Sequence, residues 1–138
     1  MKKVMIAGKF NPLHPGHVFF FEKAKKFGDY LVVVVAHDKT IRDQNIPLIL
    51  DSNERKKLIE NVESVDKVVI GDCEDRFKIV VSEKPDIIVL GYDQEMDEKW
   101  IEKNVKKNKL NTKVVRIKDK LDGYKSSIIR KKLLGKKE

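Results

Sequence analysis

The run Leu31-Val32-Val33-Val34-Val35-Ala36 constrains this chain more than any other stretch. It has no polar alternation, so as a strand it must be covered on both faces, as in a parallel sheet with helices on each side. Shorter apolar blocks repeat the theme and end at chain breakers. Residues 4–7 stop at Gly8, residues 68–70 stop at Gly71, residues 86–90 follow Pro85 and stop at Gly91, and residues 113–117 form a fifth block. Helical spacing fills the gaps. A helix opens at Pro15-Gly16, another is capped by Asp51 or Ser52 and runs to about residue 63 with Arg55 in its first turn, and others lie at 75–83, about 95–107 and 126–134. Residues 41–51, which contain Pro47, read as a loop. The series predicts an α/β chain: a single Rossmann-like, doubly wound domain over 1–138 with a five-stranded parallel sheet, and a mobile basic tail at about 135–138.

The ligands of such sheets bind beyond the carboxyl ends of the strands, where the strand order switches. The segment at the first strand end is Gly8-Lys9-Phe10-Asn11-Pro12-Leu13-His14-Pro15-Gly16-His17. It lies between a strand and a helix N-terminus, where unpaired N–H groups and the helix dipole favour an anion. His14 and His17 add donors suited to phosphate. The competing reading keeps both as loop and core histidines, because His17, Phe20, Phe21 and Ala24 share one helical face. Neither a Gly-x-Gly-x-x-Gly nor a Gly-x-x-x-x-Gly-Lys-Ser/Thr pattern occurs, which excludes a standard dinucleotide fingerprint and a P-loop.

Charge and cysteine content narrow the function further. A surplus of 30 Lys and Arg over 22 Asp and Glu gives a formal charge of +8, attractive to nucleotides, nucleic acids or lipid surfaces alike. Much of it lies in solvated helices and the tail. The basic and aromatic stripe of a single-strand binder is missing, so no nucleic-acid partner is expected. Cys73 is the only cysteine, which rules out an intrachain disulfide and a thiolate zinc site. No apolar stretch reaches the length of a membrane span, so no membrane partner and a cytoplasmic location are expected.

The ten residues from Gly8 to His17 resemble the first signature of the HxGH nucleotidylyltransferase superfamily, which includes cytidylyltransferases and adenylyltransferases. Lys9 stands where that pattern has a small hydroxyl residue and Asn11 where it has Asp. At the start of the last helix Ser126 or Ser127 can cap orphan amides or bond a phosphate, and Tyr124-Lys125-Ser126-Ser127-Ile128-Ile129-Arg130 is similar to the second signature, with Ser127 in place of Thr and Arg130 retained. Within the superfamily the chain looks closest to small archaeal FAD synthetases, which adenylylate FMN; glycerol-3-phosphate cytidylyltransferases share the architecture. The stretches carrying this resemblance include 7–17, 84–91 with Asp93-Gln94, and 114–117. The resemblance implies nucleotide contacts at Lys9, Phe10, His14, Pro15, Gly16, His17, Asp93 and Tyr124. It also makes a homodimer plausible.

The expected reaction is transfer of a nucleoside monophosphate from ATP to FMN, by in-line attack on the α-phosphorus with release of pyrophosphate. The alternatives are a CTP-dependent transfer to glycerol 3-phosphate or a related acceptor, and a non-catalytic nucleotide- or nucleic-acid-binding module. His14, His17 and Arg130 are the catalytic candidates, with Ser127 and Arg130 on the outer phosphates. Lys39, Arg42 and Arg55 are candidates for the acceptor phosphate. Phe10, Tyr92 and Trp100 could offer a flavin an aromatic wall. A phosphate monoester has a second pKa near about 6 and needs no general base. With no carboxylate cage in the sequence, Mg²⁺ or a similar divalent ion is expected to be carried mainly by the nucleotide, with no protein metal ligands.

Overall fold

The computed structural model describes residues 1–92, 94 and 96–135. Strands β1 (Lys3–Gly8), β2 (Tyr30–Val35), β3 (Lys67–Ile70), β4 (Ile87–Leu90) and β5 (Lys113–Arg116) make one parallel sheet of order β3-β2-β1-β4-β5. The helices are α1 (Pro15–Lys25), α2 (Asp38–Asp43), α3 (Ser52–Glu60), α4 (Lys78–Glu83), α5 (Glu98–Lys107) and α6 (Ser126–Leu133). The doubly wound α/β fold read from the sequence is the fold observed.

The period of two along each strand explains the layers. Val4, Ile6, Leu31, Val33, Val35, Ile87 and Val89 face one side with Phe21 and Ala24 of α1 and Ile59 of α3. Met5, Val32, Val34, Ile88 and Leu90 face the other with Val80 of α4 and Ile101 and Val105 of α5. This is why the β2 run has no polar position: both of its faces are core. Each of the larger of these side chains contributes about 1.5–3 kcal/mol by burial, so Val33→Asp, which would place a charge at a position with no exposure, breaks the fold.

β1 is the hinge of the topology. It runs alongside β2 for its whole length, from Lys3↔Tyr30 to Gly8↔Val35, but pairs with β4 at Val4↔Ile87 and Met5↔Ile88. Beyond that point the Gln94 side chain takes over, its Nε2 donating to the Ala7 carbonyl at 2.8 Å. The strand order switches here, at the carboxyl edge, and the segment 9–14 leaves the sheet at this point.

Two local expectations are corrected. Residues 41–51 are not all loop, because α2 covers Asp38–Asp43 with His37 as N-cap, its side chain accepting from the Lys39 amide. Only Ile41 of this helix is buried, so it offers no apolar period to read. The last helix is capped by Lys125 without a side-chain bond, rather than by Ser126 or Ser127. No helix among the described residues is long and apolar enough to cross a membrane. Beyond Gly135 the expected tail lies outside the described residues.

Candidate active site

The loop from Gly8 to His14 is shaped by its carbonyl groups. Gly8 O accepts from the Ala36 amide at 2.9 Å and Lys9 O from Arg55 Nη1 at 2.7 Å. Asn11 O accepts from Arg130 Nη1 at 2.7 Å and Pro12 O from Ser126 Oγ at 3.2 Å. Donors from the residue after β2, from α3 and from α6 therefore occupy oxygens that would otherwise repel a phosphate. Asn11 is fully buried and joined to proline by a cis bond. Its Nδ2 donates to Pro47 O and its Oδ1 accepts from Ile49 N, both at 2.8 Å, so an amide serves this turn where a carboxylate could only accept.

The two histidines cap α1 reciprocally. His14 Nδ1 accepts from the Gly16 amide and His17 Nδ1 from the His14 amide, each at 3.1 Å. A neutral imidazole that accepts at Nδ1 carries its proton at Nε2. The rings stack with centroids 3.7 Å apart, and Tyr124 lies nearly parallel to His14 at 6.0 Å. Burial, and secondarily the charge of His14, lowers the His17 pKa to about 3, so this ring is a neutral donor at pH 7. Gly16 has no room for a side chain: a Cβ there would stand 2.8 Å from His14 Cε1 and 3.3 Å from Tyr124 Cβ. The expected open amides at the start of α1 are thus partly used, since Pro15 has none and the Gly16 amide serves His14. The imidazoles are then the candidate anion contacts at this end of α1. α6 differs, for no side-chain oxygen caps its first turn, which begins at Ser126 and Ser127.

Phe10 is corrected from an aromatic wall to a floor. It is 3 % exposed, adopts φ +50°, and meets His17 and Phe21 edge-on at centroid distances of 5.0 and 5.3 Å. Gly8 makes this possible, since a Cβ there would lie 2.7 Å from the ring. Arg55 is corrected too. Rather than an exposed cation for the acceptor phosphate, it is fully buried, donating to Leu50 O, Lys9 O and Asp38 Oδ1 at 3.0, 2.7 and 2.6 Å. Lys39 and Arg42 are exposed on α2, with Lys39 bonded to Asp43 at 2.8 Å. Lys9 is half-buried, Pro15 is exposed at the first position of α1, and Ser127 and Tyr124 are exposed around the start of α6. Burial pushes the Arg130 pKa down from its ordinary value. Asp93 lies outside the described residues.

The structure adds a role for Arg116, which the sequence places in the fifth strand and in a stretch that carries the family resemblance. Its Nη1 donates to Gly91 O and Gln94 O at 2.7 and 3.0 Å, and its Nη2 to Met96 O at 2.9 Å. Nε donates to Glu98 Oε1 at 2.9 Å, and Nη2 bonds that oxygen as well. All five guanidinium N–H groups have acceptors. With Gln94 Oε1 accepting from Gly91 N at 2.8 Å, this one side chain sets the path that leaves β4. A cation at a strand end facing a turn is the only hint the sequence carries.

Residues 5–132 match the family model described as Cytidylyltransferase-like. An FAD synthase of Ferroglobus placidus is 46% identical over 122 residues, covering 88% of this chain and 80% of the relative. Another, of Picrophilus torridus, is 42% identical over 134 residues, 96% of each chain. Among solved structures, a lipopolysaccharide core biosynthesis protein from Thermoplasma volcanium GSS1 superposes with TM-score 0.84 at 43% identity, over 88% of this chain and 99% of that one. Thermotoga maritima TmcAL bound with alpha-thio ATP shares the fold, with TM-score 0.73 at 15% identity over 99% of this chain and 51% of that one.

Proposed function

Because this chain belongs to the cytidylyltransferase-like family, we propose that it transfers the adenylyl group of ATP to FMN, the activity named for its FAD synthase relatives. An oxygen of the FMN phosphate bonds to the α-phosphorus, the bond from that phosphorus to the α–β bridging oxygen breaks, and pyrophosphate leaves with the electron pair. The observation that carries the reaction class is the shared bonding of His14 and His17, each accepting a backbone amide at Nδ1, which leaves Nε2 as the N–H donor of each ring. Two such donors, fixed before substrate arrives, suit the charge that develops on the α-phosphoryl and leaving oxygens, and each is worth roughly 10²–10³ in rate.

The remaining work is positioning. The first turn of α6 and the Arg130 guanidinium take the β- and γ-phosphates, and the bond from Arg130 to Asn11 O keeps α6 in register with the histidines. The nucleophile is an anion at neutral pH, so no base is asked of the protein. The groups that face the phosphates are N–H donors, suited to anions rather than to a cation; the divalent ion enters with ATP as part of the substrate and neutralises the triphosphate.

The test is product formation. Protein incubated with ATP, FMN and Mg²⁺ should yield FAD and pyrophosphate by mass, whereas CTP with glycerol 3-phosphate should yield nothing; the opposite pattern refutes the acceptor and the base together. Arg130→Ala should weaken binding of ATP far more than of AMP, and equal losses by calorimetry would move Arg130 off the outer phosphates.

A further inference from the structure

A cavity of about 470 Å³ opens at the carboxyl edge of the sheet, bounded by the second half of α2, the segment after β3 and Trp100 of α5. Those elements follow β2, β3 and β4, and β1 lies between β2 and β4. The cavity thus faces the edge from which the phosphate loop departs. The connection is physical. Asp38, the first residue of α2, accepts from Arg55 at 2.6 Å, and Arg55 donates to Lys9 O at 2.7 Å. One end of α2 is tied to the phosphate loop, and its other end, at Asp43 and Gln44, lines the cavity. A helix of this length spans about 9 Å.

We propose that this cavity seats the isoalloxazine ring of the acceptor, with Trp100 as its stacking wall and the Gln44 carboxamide pairing with its uracil-like edge. The assignment rests on FMN being the acceptor. Trp100 is held edge-on by Phe77, with centroids 5.9 Å apart and planes at 84°, yet remains 39 % exposed. Its plane is therefore set before a ligand arrives, which lowers the entropic cost of stacking. The volume lies within the range of small-molecule sites. Asp43, Glu74 and Asp75 line the same space. They oppose a phosphate there but accept the ring's N3–H, which turns the flavin head into the cavity and its phosphate towards the loop. Gln44 and Arg76 supply donors for the ring carbonyls. Glycerol 3-phosphate has no plane to stack and leaves the cavity unfilled.

Trp100 is the only tryptophan, so its emission reports on this place alone. FMN titrated into the full-length protein with Mg²⁺ and α,β-methylene-ATP should quench that emission saturably, and glycerol 3-phosphate should not. Gln44→Leu, at an exposed position closing α2, and Trp100→Leu should each raise the KM for FMN roughly tenfold, the scale of one lost stacking or pairing contact. The KM for ATP should stay within about twofold, and Trp100→Phe should recover most of the loss. FAD formation with an unchanged FMN KM in Gln44→Leu, and no quenching in the wild type, overturns the cavity assignment while leaving the reaction standing. Saturable quenching that Gln44→Leu weakens, without FAD formation, upholds the assignment as a flavin site and refutes the reaction.

Discussion

Gly16→Ala separates the chemistry of the site from its stability. The added methyl would stand 2.8 Å from His14 Cε1, 3.0 Å from His14 Nδ1 and 3.3 Å from Tyr124 Cβ. Carbon atoms settle at about 3.5–4.0 Å, so the imidazole must retreat by roughly 0.7 Å or more. It cannot do so alone, because it stacks on His17 at 3.7 Å and its Nδ1 holds the residue-16 amide. A displacement of about 1 Å at a reacting group costs about 10²-fold in rate, or about 2.7 kcal/mol of barrier. Stability moves little: alanine gains up to about 1 kcal/mol of helix propensity, which offsets the weakened amide–imidazole bond of about 1 kcal/mol. Single-turnover FAD formation at saturating ATP and FMN, paired with a thermal melt, reads both quantities. Turnover within threefold of wild type, with an unshifted melt, would show that His14 need not hold its place and would sink the preorganisation argument.

Arg116→Lys supplies three donors where five are used, so it should cost about 2 kcal/mol and lower the melting temperature by roughly 6–10 °C; a melt within 1–2 °C of wild type, at about the noise of this scale, would discount the guanidinium as organiser of the segment after β4. Arg55→Met strands the Asp38 carboxylate, which is 18% exposed, and should cost about 3–5 kcal/mol in urea unfolding. Arg55→Lys should recover little, because one ammonium cannot reach three acceptors. His17 has a folded pKa near 3 against an ordinary 6.5, so the unfolded chain binds the extra proton between those values. Its contribution is complete above about pH 6.5 and is lost as pH falls towards 3. Between pH 6.5 and 4 the wild type should thus lose stability more steeply than His17→Gln, and parallel curves would contradict a buried neutral imidazole.

What the sequence made legible was whatever repeats locally. The Val-rich strands and the gap between Gly8 and Gly16 declare themselves because a strand needs a period of two and a phosphate turn needs small residues. α2 was illegible because one buried isoleucine in six residues makes no pattern. Phe10 and Arg55 were misplaced for a different reason. The first is buried because Gly8 vacates space beneath it, and the second because its acceptors lie 5, 17 and 46 positions away. Neither partner set can be read from spacing. Ser126 fails as a cap because Lys125 takes that position and Ser126 is already the first helical residue, its hydroxyl donating instead to Pro12 O, 114 positions distant. Arg116 and Gln94 stood within stretches that carry the family resemblance but were given no role, because what they hold is mostly backbone, which carries no residue-type signal.

The donors that grip the phosphate loop have a consequence for the order in which the molecule matures. The loop is made before its partners, for the groups that fix Ala7, Lys9, Asn11 and Pro12 come from residues 87, 46, 119 and 114 positions later. Contacts of such separation close last, because the chain entropy between them must be lost before they form. A ribosome-bound chain that has already paired β1 with β2 still lacks the bonds that shape this turn, and acquires them only when α6 has emerged and docked. A nucleotide seated there, as proposed above, would bridge segments made at different times and so join residues 9–14 and α6 into one cooperative unit.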